Sequence, residues 1–359
     1  MVKATTKKKQ KAAITLLAVG NRLDYDSFKK LHRERMQLKR SGWNYATVTY
    51  DRLLSGDIPK IRTKKIIVFL FFPFSYWNKR IEHRYYKGLY GNSSFFNKFQ
   101  AFFKSVDTAV KLHLPDKDVH FINPPHACSR SRDKRFVASV LKQTKIQIPR
   151  EHSTRDIKRI KRMLAQGHRF FLKPRFGSMG KGITFLSNSR WQTNFTFRNN
   201  QILSRKSDSG WAFKNITNND VFLRKLLKSD IDIEEEVHSP IIKNKKFDLR
   251  IYTFLGKVFY VYPRTNESDK VTTNISQGGK GHKQTFLKQL PRNAVEASKR
   301  QAIKTSNALG LNFAGVDVII DKNWKDVYVL DVNVFPGFPK RKRFNLARHM
   351  IKEMKRSFE

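Results

Sequence analysis

Acidic residues are scarce in this chain: 29 Asp and Glu stand against 73 Lys and Arg over 359 residues, a formal net charge of +44. Such an excess disfavours basic partners and creates a field that attracts polyanions. Cysteine is scarcer still. The single Cys128 excludes an intramolecular disulfide framework and fits a reducing compartment, so a cytoplasmic location is expected. Long apolar runs are also missing. Residues 66–77 are very apolar, but the run is about twelve residues long and interrupted by Pro73, against the roughly 20 that a spanning helix needs. A buried strand is expected there, and no transmembrane segment. The Lys-rich start followed by the apolar run 12–19 has the outline of a signal peptide, yet Gly20-Asn21-Arg22 reads better as the exit from a strand than as a cleavage site.

Core material is not lacking. Hydrophobic residues make up 39% and aromatics 13%, including 29 Phe, so the basic composition is not that of a disordered tail. The length suggests two or three domains, at roughly 100–200 residues each. The first 120 or so residues alternate: strands near 14–19, 45–50 and 66–72, with a polar helix near 25–40, which predicts a parallel α/β sheet. In residues 95–112, Phe95, Phe96, Phe99, Phe102, Phe103 and Val106 recur at spacings of three and four, a core-facing helical stripe. A strand at 119–122 leads into Asn123-Pro124-Pro125, which marks a domain boundary. Helices are predicted over 133–143 and 154–164, the second capped by Ser153 or Thr154 and closed at Gly167. The polar stretch 187–219 reads as an elaborated sheet or loop. At the C-terminus, Leu346, Met350, Met354 and Phe358 have helical spacing and predict a helix that caps the last domain.

Four segments carry the chemistry. In the first, an apolar strand bearing Lys173 enters Gly177-Ser178-Met179-Gly180-Lys181-Gly182 and leaves as a second strand. Glycines let consecutive backbone N–H groups converge on an anion, and the flanking cations neutralise it. This is a phosphate loop joining two strands, unlike the Walker and dinucleotide patterns, which open a helix; the plain alternative is a hairpin with no ligand. In the second, a hairpin centred between Asn323 and Trp324 pairs Asp317 opposite Asp331, and Asn333 shares their face. Two opposed carboxylates call for a cation between them, and an oxygen-only set of this kind suits Mg²⁺. In the third, Glu234, Glu235 and Glu236 interrupt a strand. Either they pair with neighbouring Lys and Arg, or one carboxylate meets a nucleotide amine or ribose while the strand backbone pairs the base edge. The fourth is Lys246-Phe247-Asp248-Leu249-Arg250, followed by Asn274 and Gly278-Gly279. An Arg inside a strand is costly to bury unpaired, so Arg250 meets either Asp248 or a bound anion.

In this order the segments resemble the ATP-grasp superfamily from about residue 123 to the C-terminus. The wording around Lys173-Pro174 and the Gly loop, and the Asn274…Gly278-Gly279 segment, are most similar to the YheC/YheD-like spore-coat group and to the glutamate ligases that modify ribosomal proteins. The resemblance implies a mixed α/β architecture: an N-terminal parallel α/β domain (1–122), linker helices with an ATP-grasp lid (123–233), and a C-terminal ATP-grasp subdomain with the metal site (234–359), the last two forming a two-lobed module with antiparallel sheets. It implies an ATP-dependent carboxylate–amine ligase working through an acyl-phosphate. Lys134 and Lys173 would hold phosphates and residues 177–182 would close over them. Glu234, Glu235, Glu236 and Val237 would form the adenine and ribose edge. Arg250 would steady the transferred phosphoryl group, with Asn274 beside it. Asp317, Asp331 and Asn333 would bind Mg²⁺, with Mn²⁺ as the alternative ion. The family usually has Glu where this chain has Asp331, one methylene shorter, and relatives carry Gln at the first two of the three acid positions. The charge adds an acidic protein, RNA or another polyanion to the expected partners. Two rivals remain open at this point: an ATP-binding coat or scaffold protein without turnover, and a basic nucleic-acid-binding protein on the same scaffold.

Overall fold

A computed structural model describes residues 13–81, 89–204 and 210–359. The Lys-rich start lies outside the described residues, as do residues 205–209 of the polar stretch. The chain forms two compact units, one of residues 1–77, 104–125 and 337–359, the other of residues 78–103 and 126–336. This cuts the chain differently from a contiguous division at 122 and 233, because residues 337–359 return to the first unit.

In the first unit, Ile14–Val19 (β1), Asn44–Val48 (β2), Lys65–Leu70 (β3) and Asp118–Phe121 (β4) form a parallel sheet in the order β2-β1-β3-β4. The near-continuous apolar runs of β1 and β3 are buried, as central parallel strands require. The helix expected over 25–40 is two helices, Asp26–Arg33 and Arg35–Arg40. They part at Glu34, whose buried carboxylate accepts hydrogen bonds from Arg341 at 2.7 Å and Asn345 at 3.0 Å. The C-terminal helix Leu346–Phe358 buries Leu346, Met350 and Met354 in this unit and so does not cap the last domain. Trp43 Nε1 donates to Glu359 at 2.7 Å. No helix among the described residues is long and apolar enough to cross a membrane.

The second unit holds two antiparallel sheets. The six-stranded sheet runs Lys214–Asn215 (β11), Trp191–Thr193 (β8), Thr184–Leu186 (β7), Phe170–Pro174 (β6), Ile231–Glu235 (β12) and Glu151–His152 (β5). Thr196–Arg198 (β9) and Gln201–Leu203 (β10) make a separate hairpin in the polar stretch. Phe170, Leu172, Ile231 and Ile233 pack on Ile160, Leu164, Phe222 and Leu226 of the helices Ile157–Ala165 and Asp220–Leu227. The first of those helices is capped by Asp156, which accepts from Lys158 N at 2.9 Å, and not by Ser153 or Thr154. The phenylalanine stripe is buried at Phe95, Phe99, Phe102 and Phe103, while Phe96 stacks on Phe176 with ring centres 4.3 Å apart.

The five-stranded sheet runs Lys280–Gly281 (β15), Lys257–Glu267 (β14), Lys245–Phe254 (β13), Phe313–Ile320 (β16) and Val327–Asn333 (β17). A regular ladder from the β16–β17 turn pairs Ile320 with Val327 and Val318 with Val329, and carried further it would set Asp317 against Leu330. A bulge intervenes, so Asp317 lies opposite Asp331 and Gly315 opposite Asn333. The expected pairing therefore holds by a different route, and the extra residue breaks the alternation of faces, leaving Leu330 and Asp331 both lining one cleft.

Candidate active site

Two cross-strand ion pairs form the floor of that cleft. Arg250 on β13 lies opposite Asp317 on β16 and donates through Nε and Nη2 to its two oxygens, both at 2.7 Å. Arg264 on β14 lies opposite Asp248, grips it with both Nε and Nη2, and reaches Asp317 at 3.1 Å. Asp248 and an anion were the expected partners of Arg250; Asp317 takes that place because it is the direct neighbour across the ladder, while Asp248 goes to Arg264. Burial works against the charged form of Arg250, Arg264 and Asp317, but the attraction between unlike charges outweighs it. Arg250 and Arg264 are raised above the ordinary guanidinium value, and Asp317 is held below the usual carboxylate range by Arg250 and Arg264. Arg264 escapes a reading by motif. Its signal is a lone Arg in the aromatic run of β14, placed opposite Asp248 once the turn at Leu255-Gly256 and a bulge near Tyr252 are counted.

At the edge of the floor, Asp331 has a side chain 36% exposed and lies 3.4 Å from Lys134 Nζ. Asn333 Nδ2 lies 3.2 Å from Gly315 O and 3.4 Å from Asp317 Oδ2. Two carboxylates and a carboxamide on one sheet face form the all-oxygen set that Mg²⁺ prefers, so the residues fit that ion. No cluster of three or more His, Cys, Asp or Glu among the described residues offers a rival metal site.

The opposite wall is built by β6 and β12. Arg169, Phe171 and Lys173 alternate onto the cleft face, and so do Glu234 and Glu236. Lys173 forms an ion pair with Glu234, and Arg169 lies 2.9 Å from Glu236. Glu235 points to the other face, accepting from His152 at 3.0 Å and His168 at 2.7 Å. All three acids are thus paired with basic side chains, the plainer of the two readings of this run, and only two of them are turned toward the cleft. Burial pushes the Glu235 carboxyl up, but hydrogen bonds from His168 and His152 hold it below its ordinary 4.5. Its stabilising contribution is therefore present above about pH 4.5 and lost as pH falls through the lowered value. Glu235→Gln is expected to flatten the acid limb of a plot of Tm against pH; an unchanged limb would show that other carboxylates govern it.

The Gly loop 177–182 is held from several sides. Lys134 Nζ donates to Gly177 O at 3.0 Å, Ser276 Oγ donates to Met179 O at 2.9 Å, and the Tyr90 and Ser178 hydroxyls are 3.2 Å apart. Gly180 adopts φ +67° and would place a Cβ 2.4 Å from Asn274 Nδ2, so only glycine allows this approach. Lys181 sits over the rings of Tyr90 at 5.4 Å and Trp211 at 6.0 Å, an aromatic seat that its phosphate assignment did not anticipate. Of the expected site residues, Lys134, Lys173, Gly177, Ser178, Gly180, Lys181, Glu234, Glu235, Glu236, Val237, Asn274, Asp317 and Asp331 line one cleft of about 330 Å³. Arg250 and Asn333 touch it through Asp317, while Met179 and Gly182 are not part of its lining. Five carboxylates are turned to the cleft, Glu234, Glu236, Asp248, Asp317 and Asp331, against six cations in its lining, Lys134, Arg169, Lys173, Lys181, Lys246 and Arg264, while the Glu235 carboxylate is held on the far face by His152 and His168. Burial lowers the pKa of Lys246.

Known proteins are similar to this chain in sequence and in fold. A probable alpha-L-glutamate ligase of Histophilus somni is 26% identical over 255 residues, covering 70% of this chain and 72% of that protein. The tetrahydromethanopterin:alpha-L-glutamate ligase of Methanocaldococcus jannaschii is 24% identical, covering 65% and 69%. Among solved structures, the ATP-grasp ligase PsnB complexed with a phosphomimetic variant of its minimal precursor, Mg and ADP aligns over all of both chains with a TM-score of 0.56 at 13% identity. D-alanine–D-alanine ligase from Bacillus anthracis complexed with ATP covers 97% of this chain and 98% of its own, with a TM-score of 0.52 at 13% identity. The model of the YheC/D-like ATP-grasp family matches residues 123–359, about two thirds of the sequence, and the chain belongs to that family.

Proposed function

We infer that the chain is an ATP-dependent carboxylate–amine ligase. The observation that carries this reading is the joining in one cleft of a Gly loop, the cations Lys134 and Lys173, and the Asp317–Asp331–Asn333 face, in a chain of ATP-grasp family. In the first half-reaction a substrate carboxylate oxygen attacks the γ-phosphorus of ATP, the bond to the bridging oxygen breaks, and ADP leaves with that electron pair. In the second, an amine attacks the acyl carbon of the acyl-phosphate, phosphate departs, and an amide remains. Lys134 and Lys173 hold phosphate oxygens, the Gly loop covers them and excludes water, and Arg250 steadies the transferred group beside Asn274. Mg²⁺ held by Asp317, Asp331 and Asn333 would neutralise charge on the phosphates, with Mn²⁺ as the alternative ion. Val237 and the cleft-facing Glu234 and Glu236 form the base and ribose edge.

The named activities of the relatives make L-glutamate the first amine to screen, and the precursor complexes of the structural neighbours make a peptide the first carboxylate. The +44 charge favours an acidic peptide or a polyanion-associated acceptor, and the single buried Cys128 fits a cytoplasmic setting. The test is thermal stabilisation by ATP with and without Mg²⁺. A shift that requires Mg²⁺ and is lost in Lys173→Ala is expected, followed by ADP release on addition of the correct pair; well-folded wild type with no shift removes the ligase reading.

A further inference from the structure

Each cation that the ligase reading gives to phosphate already has a carboxylate of its own. Arg250 lies on Asp317 at 2.7 Å, Lys134 is 3.4 Å from Asp331, and Lys173 is paired with Glu234. Acids are dense over the whole lining, five turned to the cleft against six bases, in a chain where bases outnumber acids 73 to 29. Five acids beside six bases are about twice what that composition would supply, so the near balance of charge is a property of this cleft and not of the molecule.

The pairing constrains what can enter. Nucleotide arriving without a divalent ion has to compete with Asp331, Asp317 and Glu234 for the three cations, and if it succeeds it leaves those carboxylates facing phosphate oxygens. A divalent ion arriving without nucleotide draws off Asp317 and Asp331 and leaves Arg250 and Lys134 with no counter-charge. For Arg250 and the buried Asp317, removing one partner is far more costly than forming the pair is favourable, while the more exposed Lys134 and Asp331 add a smaller penalty of the same sign. When both arrive, partners are exchanged: Lys134 and Arg250 pass to phosphate while Asp331 and Asp317 pass to the metal, so neither of these two pairs leaves a charge alone, and Glu234, released by Lys173, is left to the ribose edge.

We propose that the cleft is a partner-exchange site in which Asp331 and Asp317 act as built-in competitors of metal-free nucleotide, so that ATP and Mg²⁺ enter as one cooperative event. The proposal rests on the ligase reading of the cleft and adds to it a specificity for the metal-bound form that comes from this chain's own ion pairs. Asp331 is the residue to change, because its side chain is 36% exposed and asparagine keeps its shape while removing its charge.

The experiment is calorimetric titration of wild type and Asp331→Asn with ATP, once in excess EDTA and once in excess Mg²⁺. The two affinities are expected to move in opposite directions. Metal-free ATP should bind the variant about three- to tenfold more tightly, the effect of one freed, partly exposed lysine, and Mg·ATP about tenfold or more weakly, the effect of one lost oxygen ligand. Asp331→Ser should show the same pair of signs. If metal-free binding is unchanged or weakened in both variants while wild type binds Mg·ATP, the exchange is overturned and the ligase reading stands. If wild type binds ATP under neither condition, both fall.

Discussion

Asp317→Ala is expected to lower the stability of the second unit by about 3–5 kcal/mol, because it strips the counter-charge from two guanidinium groups at once. Arg250 loses both of its 2.7 Å hydrogen bonds, and Arg264, buried with only 3% of its side chain exposed, keeps Asp248 but loses the contact at 3.1 Å. Neither cation can shed its proton, so each must stay charged in a site that water hardly reaches. Asp331→Ala makes the contrast: its pair with Lys134 is longer and more exposed, and its loss should cost no more than about 1 kcal/mol. Both variants should lose Mg·ATP binding, so only the melting curves separate them. Equal melting temperatures for the two would mean that the arginine pair does not hold the sheet together.

Gly279→Ala is expected to lower kcat/KM by about 100-fold or more, roughly 2.7 kcal/mol of transition-state stabilisation, with little effect on melting. A Cβ on Gly279 would lie 1.9 Å from Thr273 O, 2.6 Å from Thr273 C and 2.9 Å from Asn274 O. All three are backbone atoms, so no side chain can swing away, and the turn closed by Gly279 N donating to Asn274 O at 3.0 Å has to open. Opening displaces Asn274 from Gly180 and Ser276 from Met179, which frees the Gly loop on that side. Gly278→Ala is the control. Gly278 has φ +89° but open space around its Cβ position, so alanine there meets only backbone strain of about 1–2 kcal/mol. Steady-state ADP release from both variants decides the matter, since a Gly279 variant no worse than the Gly278 variant would separate the turn from catalysis.

The parts of the molecule that were legible in the sequence are those fixed by short-range pattern. The runs at β1 and β3 are apolar throughout because both faces are covered, and two-residue spacing alone places Asp331 and Asn333 on one face, whereas Asp317 comes opposite Asp331 only through the bulge. The resemblance that runs from about residue 123 to the C-terminus follows the order of motifs along the chain, and the family match, residues 123–359, covers the same stretch. What was not legible depends on contacts between distant residues. The break at Glu34 is set by Arg341 and Asn345, some 300 positions away. The partner of Arg250 is decided by which strand lies beside β13, and β16 supplies Asp317. Arg264 becomes visible only when the β13–β14 ladder is followed through its bulge to Asp248. The sorting of Glu234 and Glu236 from Glu235 needs the pairing of β12 with β6, and the seat of Lys181 needs Tyr90 and Trp211, which approach from separate segments.

The charge-paired cleft also divides the molecule's response to ionic strength. At 0.15 M salt the Debye length is about 8 Å, so attraction between the exposed Lys and Arg of the surface and any polyanion weakens steeply as salt rises. Short ion pairs with little exposed side chain, such as Lys173 with Glu234 and Arg264 with Asp248, are screened far less. Raising the salt is therefore expected to strip any adhering polyanion from the protein while leaving the cleft's own charges in place, and a high-salt wash separates adhesion from nucleotide binding in a single preparation.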